Sequence, residues 1–495
     1  MVPARGGIRA RRRGAIGRGW LLSAYAPRPG TIPTLEVPDL QGIRRIHMIG
    51  IGGAGMRNLA RLFLWRGIEV TGSDLKDSKG TAELRELGAA VAVGHSAHQV
   101  ADPDAVVVSS AIAESNLELV EARRRNIPVW MRAQALAAAA AKQRTIAVTG
   151  THGKTTTTAM VGLVLERAGL DPTYVIGGDP NETGSGARSG DGDLFVAEAD
   201  ESDGSFLLMR PTIGIVTNVE VDHVDFYPGG LPEIEAAFAA FAERCERLVV
   251  CADDEGAMRS TAGAGVPVTT YGITDGADVR IEISSVGPGG AAAEIVVDGE
   301  RHALRLSVDG AHNVLNAAAA IAAARAVGVD VALATEALAS FTGVHRRFEH
   351  RGTARGAKFY DDYGHVPTEL AVTLDVARRT RPERLVAVFQ PHRYSRTQAL
   401  WRELGESLVE ADLVVVTDVY GAAQEPIPGV TGKLVVGGVA SAAPGKRVVY
   451  LPHRADVLEF LDREVRAGDL VITMGCGDVW MLGDAALERI GNGAA

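Results

Sequence analysis

The segment Gly150–Thr156, which reads GTHGKTT, constrains the fold of this chain more than any other stretch. It follows an apolar run of β-type residues, Thr145–Val148, and leads into residues typical of a helix. In such a strand–loop–helix unit the backbone N–H groups and the helix N-terminus face an anion, the lysine neutralises charge and the threonine hydroxyl can bind Mg²⁺. The segment therefore predicts a phosphate-binding loop, made of Gly150, Thr151, His152, Gly153, Lys154, Thr155 and Thr156.

The spacing of this loop differs from the common G-x-x-x-x-G-K-[ST] pattern, because Val148 stands where the first glycine belongs. An ordinary strand-to-helix turn is therefore the alternative interpretation. A second segment favours the phosphate loop, since an apolar strand from about Leu194 to Ala197 ends in the carboxylate cluster EADESD, Glu198–Asp203. A metal–nucleotide site needs its second metal ligand at such a strand end.

Length and composition exclude several classes of protein. A chain of 495 residues is long enough for about three domains. The net charge of −10 argues against nucleic acid as the main partner. Cys245, Cys251 and Cys476 lack C-x-x-C spacing and a ligand-spaced histidine, so we expect neither disulfides nor zinc, but reduced thiols in a cytoplasm. No stretch approaches the length of a membrane-spanning helix, so we expect no membrane partner. The oligomeric state stays open.

Residues 1–40 differ in composition from the rest of the chain. They contain clustered arginines between Arg9 and Arg18, then Gly, Pro and Thr, without apolar periodicity. The apolar run Gly19–Ala26 is too short and too broken for a good signal peptide. We expect a disordered basic leader, or a start assigned too far upstream.

A first block, residues 41–142, has the pattern of a Rossmann βαβ unit. The strand at Ile46–Ile49 is followed by a G-x-G-x-x-G loop, a helical stretch and a second strand that ends in Gly72–Asp74. The loop glycines, which are Gly50, Gly52, Gly53 and Gly55, predict a diphosphate site. A dinucleotide is the default ligand for this pattern, but the loop alone requires only a diphosphate.

A second block, residues 143–343, carries the phosphate loop. His223 lies just past the end of a predicted parallel strand, where open α/β sheets bind their ligands, so metal or phosphate binding is favoured over a structural role. His312, Asn313 and Asn316 share one end of an Ala-rich helix and are placed for a nucleotide base or ribose. Helix capping by Asn313 is the alternative.

A third block, residues 344–495, alternates strands and helices. Three of its strands end in polar segments, DDYGH, QPHRYSRT and TDVY, at the edge where a doubly wound sheet binds ligand. Arg393 and Arg396 lie three residues apart and could hold one carboxylate in a planar fork. Solvated surface arginines are the alternative. The whole chain is thus expected to be α/β, with a Rossmann-like N-terminal domain, a P-loop-like central domain and a Rossmann-like C-terminal domain.

In this order the motifs resemble the Mur ligases of peptidoglycan synthesis, from about Ile43 to Leu487. The resemblance is carried by eleven segments of the chain. These are HMIGIGGAGM, GSD, SSAI, TGTHGKTTT, EADESD, NVEVDHVD, HNVLN, RRFE, DDYGH, PHRYSRT and TMGCGD.

This resemblance implies an ATP-dependent ligase that joins L-alanine to the lactyl carboxylate of UDP-N-acetylmuramate in the cytoplasm, giving ADP and phosphate. It implies ATP and Mg²⁺ as cofactors, with Lys154 at the ATP phosphates and Thr155, Glu198 and His223 as metal ligands. His312, Asn313 and Asn316 would flank the nucleotide. The UDP-sugar would bind at the first glycine loop with Ser73, Asp74, Ser109 and Ser110, and the amino acid at His392, Arg393 and Arg396.

Three positions depart from the family pattern. Arg57 stands where Ser is usual, Val366 where a second His is common, and Asp309 at a usual Pro. Two other functions stay open at this point. One is a sister ligase that attaches a recycled tripeptide to the same UDP-sugar. The other is an NAD-dependent oxidoreductase, which would leave GTHGKTT and EADESD unexplained.

Overall fold

The structure is a computed structural model that describes residues 36–422 and 424–492. Most of the predicted basic leader therefore lies outside the described residues. Within them, the backbone carbonyl of Glu36 accepts a hydrogen bond of 2.8 Å from Gln134 of the first domain. The described chain builds three sheets, one for each of the three predicted blocks.

The first domain is a five-stranded parallel sheet in the order β3-β2-β1-β4-β5. The strand order reverses between β1 and β4, so the loops that follow these two strands diverge and open a crevice, as in other doubly wound sheets. Its strands are β1 Arg45–Ile49, β2 Glu69–Asp74, β3 Ala90–Val93, β4 Ala105–Val108 and β5 Val129–Met131, and its helices are α1 Ala54–Trp65, α2 Lys79–Glu86, α3 Leu117–Arg124 and α4 Arg132–Ala140.

The central domain has a ten-stranded sheet in the order β15-β14-β13-β12-β11-β10-β6-β9-β7-β8. Its strands are β6 Arg144–Thr149, β7 Thr173–Val175, β8 Ala187–Arg188, β9 Leu194–Glu198, β10 Ile213–Val216, β11 Leu248–Cys251, β12 Val268–Gly272, β13 Val279–Gly287, β14 Gly290–Val297 and β15 Glu300–Leu306. Its helices are α5 Lys154–Arg167, α6 Leu231–Ala242, α7 Glu255–Thr261, α8 Ala311–Ala326 and α9 Val331–Leu338. The phosphate loop leaves β6, which lies between β9 and β10 in this sheet.

Small side chains allow helix α8 to lie inside the central domain. Residues 317–324 are seven alanines and one isoleucine, and all of them are buried in the same core as β6 and α5. Because alanine keeps the helix backbones close together, the N-terminal end of α8 reaches the phosphate loop. The Oδ1 atom of Asn316 accepts a hydrogen bond from Thr157 on α5 at 3.1 Å. The predicted Ala-rich helix is present as α8, with His312, Asn313 and Asn316 near its start.

The C-terminal domain has a six-stranded sheet in the order β16-β17-β21-β18-β19-β20, parallel except for the β16–β17 pair. Its strands are β16 Glu349–Ala354, β17 Ala357–Asp362, β18 Arg384–Phe389, β19 Leu413–Val416, β20 Arg447–Tyr450 and β21 Asp469–Met474, and its helices are α10 Pro367–Arg379, α11 Tyr394–Ser407, α12 Lys433–Ala442, α13 Arg454–Glu464 and α14 Trp480–Asn492. The predicted ligand segments follow β17, β18 and β19 at one edge of this sheet.

The three-domain α/β fold class is confirmed. The antiparallel extension β13–β15 was not predicted, although β14 alternates buried and half-buried residues as a strand with one covered face should. We propose that the domain boundaries lie at residues 142/143 and 343/344, because β6 begins at Arg144 and β16 begins at Glu349. In the described part of the chain, no helix is long and apolar enough to cross a membrane.

Helix α11, which carries the two predicted acceptor arginines at its start, is fixed by a close helix contact with α12. A Cβ atom on Gly438 would lie 2.5 Å from the carbonyl oxygen of Trp401, whereas one on Gly437 would meet only a ring atom at 3.8 Å. We expect Gly438→Ala to lower the free energy of unfolding by about 1–3 kcal/mol through overpacking. Gly437→Ala should raise it by up to about 1 kcal/mol through helix propensity. Urea unfolding of both variants tests this, and equal effects would contradict the contact.

Candidate active site

Two glycines shape the phosphate loop. Gly150 and Gly153 adopt φ values of +134° and +80°, a region that favours glycine. A Cβ atom on Gly150 would lie 2.0 Å from Oγ1 of Thr217, and one on Gly153 would lie 2.6 Å from Oδ1 of Asn316. The loop is joined to the segment after β10, where the amide of His152 donates to Oδ1 of Asn218 at 2.7 Å. The loop after β6 is therefore hydrogen-bonded to the loop after β10.

Lys154 begins helix α5, and its ammonium group is buried among acidic side chains. Its Nζ donates to the carbonyl oxygen of Gly150 at 2.6 Å and to the Glu201 carboxylate at 2.8 Å. Burial alone would lower the pKa of Lys154, but the charges of Glu201, Asp200 and Glu198 outweigh it and raise that pKa above its ordinary value. The site therefore holds a fixed positive charge at the phosphate loop.

The predicted metal ligands lie in two separate groups. In the first, Thr155 donates its hydroxyl to Glu198 at 3.0 Å, and the amide of Gly177 donates to the same carboxylate oxygen at 2.9 Å. In the second, His223 lies with Asp200 and Glu201, and one ligand atom from each residue lies within 4.8 Å of the others. Asp200 and Glu201 belong to the EADESD segment, but no pattern in the sequence distinguishes them from its other carboxylates.

The backbone and ring of His223 are constrained by this second group. The residue has a φ of +49°, which is uncommon outside glycine. Its Nε2 lies 3.6 Å from Glu201 and 3.3 Å from Asp222, while its Nδ1 is buried and has no hydrogen-bond partner among the described residues. An imidazole with two carboxylates nearby is a donor set that fits a divalent cation.

A cavity of about 880 Å³ lies between the central and C-terminal domains. It is lined on one side by the phosphate loop and by His312, Asn313 and Asn316. The opposite wall includes Phe348, which stacks on Tyr360 with 4.6 Å between the ring centres. Its volume and its position beside the phosphate loop suit a nucleotide.

The start of helix α8 supplies neutral polar groups to this cavity. Burial, Arg379 and Arg347 lower the pKa of His312 to about 4, so its ring is neutral at pH 7. The capping alternative for Asn313 is not seen, since the N-cap position is Gly310, without a side-chain cap. Instead, Asn313 donates its side-chain amide to the carbonyl oxygen of Asp309 at 2.7 Å.

The arginines predicted to hold the amino acid both pair with carboxylates of the central domain. Arg396 is buried and donates through Nε and Nη2 to the two oxygens of Asp222, at 3.0 and 3.2 Å. Arg393 donates to Asp225 at 2.7 Å at a more exposed position. The two arginines therefore link the C-terminal domain to the loop that carries His223. They are not simply solvated surface residues.

His392, the third predicted acceptor residue, lies next to this arginine pair. Its ring stacks on Tyr420, with 5.7 Å between the ring centres and an angle of 10° between the planes. Burial and the charges of His365, Arg396 and Arg393 hold the pKa of His392 well below its ordinary value. A neutral imidazole and two guanidinium groups thus share this part of the cleft.

A second contact between these domains, which the sequence did not predict, centres on His152. Nε2 of this ring lies 3.3 Å from Glu220, and Nδ1 lies 3.4 Å from Glu369 on helix α10 of the C-terminal domain. Glu220 also accepts a hydrogen bond from Thr368 at 2.8 Å. Burial lowers the pKa of His152, but its two acidic neighbours outweigh burial and raise it to about 9.

The residues predicted to bind the UDP-sugar lie at the carboxyl edge of the first sheet. The amide of Gly52 donates to Asp74 at 2.9 Å, and the amide of Gly50 donates to the carbonyl oxygen of Ser73 at 2.8 Å. Gly53 and Gly55 lie at the start of helix α1, and Ser109 and Ser110 follow strand β4. The Ser73 side chain is buried and donates internally to Glu118 at 2.8 Å.

The three departures from the family pattern have different surroundings. Arg57 reaches across the first domain boundary to Asp179 at 2.5 Å. Val366 is buried and precedes helix α10. Asp309 has both carboxylate oxygens buried without a hydrogen bond in the described part of the chain, and burial raises its pKa.

Family models match the chain in three consecutive segments. They are described as the Mur ligase family catalytic domain for residues 45–144, the Mur ligase middle domain for residues 148–324 and the Mur ligase glutamate ligase domain for residues 346–477. Together these segments cover most of the chain. The chain belongs to the Mur ligase family.

Two individual members of the family are similar to this chain over nearly its whole length. The UDP-N-acetylmuramate–L-alanine ligase of Thermobifida fusca is 46% identical over 472 residues, which cover 92% of this chain and 98% of that protein. The enzyme of the same name from Rubrobacter xylanophilus is 47% identical over 453 residues, covering 90% and 100%.

Solved structures agree with this comparison. The UDP-N-acetylmuramate–alanine ligase of Thermotoga maritima superposes with a TM-score of 0.78 at 32% identity, covering 91% of this chain and 99% of that one. A murein peptide ligase from Psychrobacter arcticus gives a TM-score of 0.72 at 26% identity, covering 91% and 99%.

The His152 contact predicts a pH dependence of stability. Because the folded pKa of about 9 lies above the ordinary value of 6.5, the protonated ring stabilises the fold fully below about pH 6.5. This contribution is lost as the pH rises through about 9. We expect His152→Gln to remove a stabilisation on the order of a few kcal/mol at pH 6 and much less at pH 10. Thermal unfolding across this range tests the difference, and parallel curves for wild type and variant would contradict it.

Proposed function

We propose that this protein joins L-alanine to the lactyl carboxylate of UDP-N-acetylmuramate and converts ATP to ADP and phosphate. The names of the relatives support this reaction. The single observation that carries the proposal is a continuous chain of polar contacts between two kinds of site. It runs from Lys154 through Glu201, His223 and Asp222 to Arg396, and so connects the phosphate loop to the arginine pair.

The chemistry explains why these sites must be connected. A carboxylate and an amine do not condense in water at a useful rate, so the carboxylate needs a better leaving group. Transfer of the γ-phosphoryl group to the lactyl carboxylate forms an acyl phosphate. The amine of L-alanine then attacks the acyl carbon, the amide bond forms, and phosphate leaves with the electrons of the broken C–O bond. Lys154 offsets the repulsion between the substrate carboxylate and the triphosphate.

Two groups of residues would hold Mg²⁺ in this reaction. Thr155 with Glu198 offers oxygen ligands next to the phosphate loop, and Asp200, Glu201 and His223 offer a second set. The buried, unpartnered Nδ1 of His223 and the excess of carboxylates over nearby cations both fit a bound divalent ion. When bound, Mg²⁺ supplies positive charge against the phosphate oxygens.

The proposed substrates indicate the compartment and the pathway in which the reaction takes place. ATP and UDP-sugars are cytoplasmic, so we place the enzyme in the cytoplasm, in the synthesis of peptidoglycan precursors. Closure of the C-terminal domain over the phosphate loop, through Arg396 and Glu369, would keep water from the acyl phosphate. Family membership leaves the NAD-dependent oxidoreductase without support, because the glycine loop of the first domain serves a UDP-sugar in this reaction.

A ligase that attaches a tripeptide is the second candidate, since the solved murein peptide ligase covers nearly the same length of chain. Phosphate release from ATP in the presence of UDP-N-acetylmuramate separates the two functions. L-alanine should support turnover, and glycine, other amino acids and the L-alanyl-containing tripeptide should support far less. Turnover with the tripeptide but not with L-alanine would reverse the assignment.

The activating residues give the first test of the mechanism. We expect Lys154→Ala and Glu198→Ala each to abolish turnover but to leave UDP-N-acetylmuramate bound, because that ligand lies largely on the first domain. Lys79→Ala is the control, since its side chain is 93% exposed and lies on helix α2 of the first domain. A variant at Lys154 or Glu198 that keeps more than about a tenth of wild-type kcat, a loss below about 1.4 kcal/mol, would refute its assigned role.

The arginine pair gives a separate test of acceptor binding. Replacing Arg396 or Arg393 with Lys should raise the KM for L-alanine at least tenfold and the KM for ATP much less, because an ammonium group cannot reproduce a planar fork. Steady-state kinetics with each substrate varied in turn measures both values. If the two KM values rise together, the arginines act mainly in domain closure, through Asp222 and Asp225.

A further inference from the structure

A buried carboxylate in the first domain accepts hydrogen bonds from two strands and from the loop after a third. Glu118, in the first turn of helix α3, lies 2.6 Å from Nε2 of His47 on β1 and 2.8 Å from Oγ of Ser73 on β2. It also lies 2.8 Å from Nδ1 of His95, which follows β3. We call these four residues the Glu118 cluster. The mechanism above uses none of these contacts.

The charge of Glu118 fixes the direction of every hydrogen bond in the cluster. Burial raises the pKa of Glu118, but hydrogen bonds from His47, Ser73 and His95 outweigh burial, so the pKa lies below its ordinary value. The ionised carboxylate can only accept, and each of its three partners must therefore donate. His47 donates through Nε2, and its Nδ1 faces the hydroxyl of Thr71 at 2.8 Å.

The same logic determines the tautomer of His95. Its Nδ1 carries a proton, which is shared between Glu118 and Oγ of Ser73 at 3.0 Å. In the neutral ring, Nε2 consequently carries the lone pair and can only accept a hydrogen bond. Nε2 makes no hydrogen bond to any described residue and is not among the buried polar atoms, so it faces accessible space. The side chain of His95 is 15% exposed.

The position of His95 indicates what could meet this acceptor. In a doubly wound sheet the loop after the first strand holds the phosphates, and an acidic residue at the end of the second strand lies near the ribose. Here these features are the Gly50–Gly55 loop and Asp74, which contact each other through the Gly52 amide. The amide of Gly94, next to His95, donates to the carbonyl oxygen of Asp74 at 2.7 Å. A nucleoside that extends from the loop past Asp74 would therefore bring its base to the end of β3, where His95 lies.

We propose that Nε2 of His95 accepts a hydrogen bond from the imide N3–H of uracil and that Glu118 is the positioning residue that fixes its tautomer. This inference rests on the proposed binding of a UDP-sugar to the first domain. Uracil carries a hydrogen at N3, whereas cytosine has a lone pair at the same position. An acceptor held at this place therefore selects uracil over cytosine nucleotides.

Direct binding of UDP and of CDP, measured by calorimetry without turnover, tests the proposal. Wild type should bind UDP at least tenfold more tightly than CDP. In Glu118→Gln the side-chain NH₂ group must donate to the ring of either His47 or His95. The nitrogen that receives this hydrogen bond has no proton, so the ring carries its proton on the other nitrogen. We expect this variant to lose about tenfold of the preference for UDP, with the KM values for ATP and L-alanine little changed.

Two further variants keep the test decisive. Asp469→Asn removes a buried carboxylate that pairs with Arg384 at 2.7 Å in the C-terminal domain, and it should leave the UDP preference unchanged. If Glu118→Gln does not fold, His95→Gln decides, because a side-chain amide can both donate and accept and should bind both nucleotides alike. An unchanged UDP preference in His95→Gln would overturn the proposal. So would equal binding of UDP and CDP by wild type, whereas no binding of either would instead contradict the UDP-sugar site itself.

Discussion

The ammonium group of Lys154 is buried among Glu198, Asp200 and Glu201, and the arrangement of the central domain depends on this balance of charge. An isolated charge in a protein interior costs several kcal/mol, so neither the lysine nor the carboxylates could stay ionised there alone. For these charges to offset each other, the end of β9 must lie next to the start of α5. The pairing of β6 with β9 brings these two ends together. The surplus of acidic groups suits cations, and in the proposed reaction metal ions would offset the repulsion between these carboxylates and the phosphate oxygens of a nucleotide.

The same electrostatic matching crosses the boundary to the C-terminal domain. Arg396 and Asp222 are both buried, so removing either partner would leave an uncompensated charge, whereas the more exposed Arg393–Asp225 pair contributes less. The His152–Glu369 contact is a second pairing of opposite charges between these domains, and it involves a residue of the phosphate loop. The contacts between the two domains therefore include the loop that would bind ATP, which suits the proposed reaction, because its acyl phosphate would have to be kept from water.

Local patterns predicted much of this structure, and contacts between distant elements account for the rest. The phosphate loop, the parallel strands and the ligand edge of each sheet follow from short segments whose hydrophobic pattern is unambiguous. Glu118 and Glu369 were missed because each lies in the first turn of a helix, where an acidic residue is common without any function. Their partners, His47 and His152, were noticed only as members of motifs. The antiparallel strands β13–β15 carry no chemical motif, and no prediction was made for them.

The ion pair of Arg396 with Asp222 leaves room for the proposed acceptor role of this arginine. Asp222 takes the Nε and Nη2 edge of Arg396, and Nη1 makes only long contacts with His392, of 3.3 and 3.4 Å. A guanidinium group has five N–H donors, so the remaining edge can hold the carboxylate of an amino acid while the ion pair with Asp222 stays intact. Because Asp222 already holds the side chain in one orientation, binding of the amino acid costs less conformational entropy than binding to a free arginine. The ion pair between the domains is thus compatible with the proposed acceptor role of Arg396.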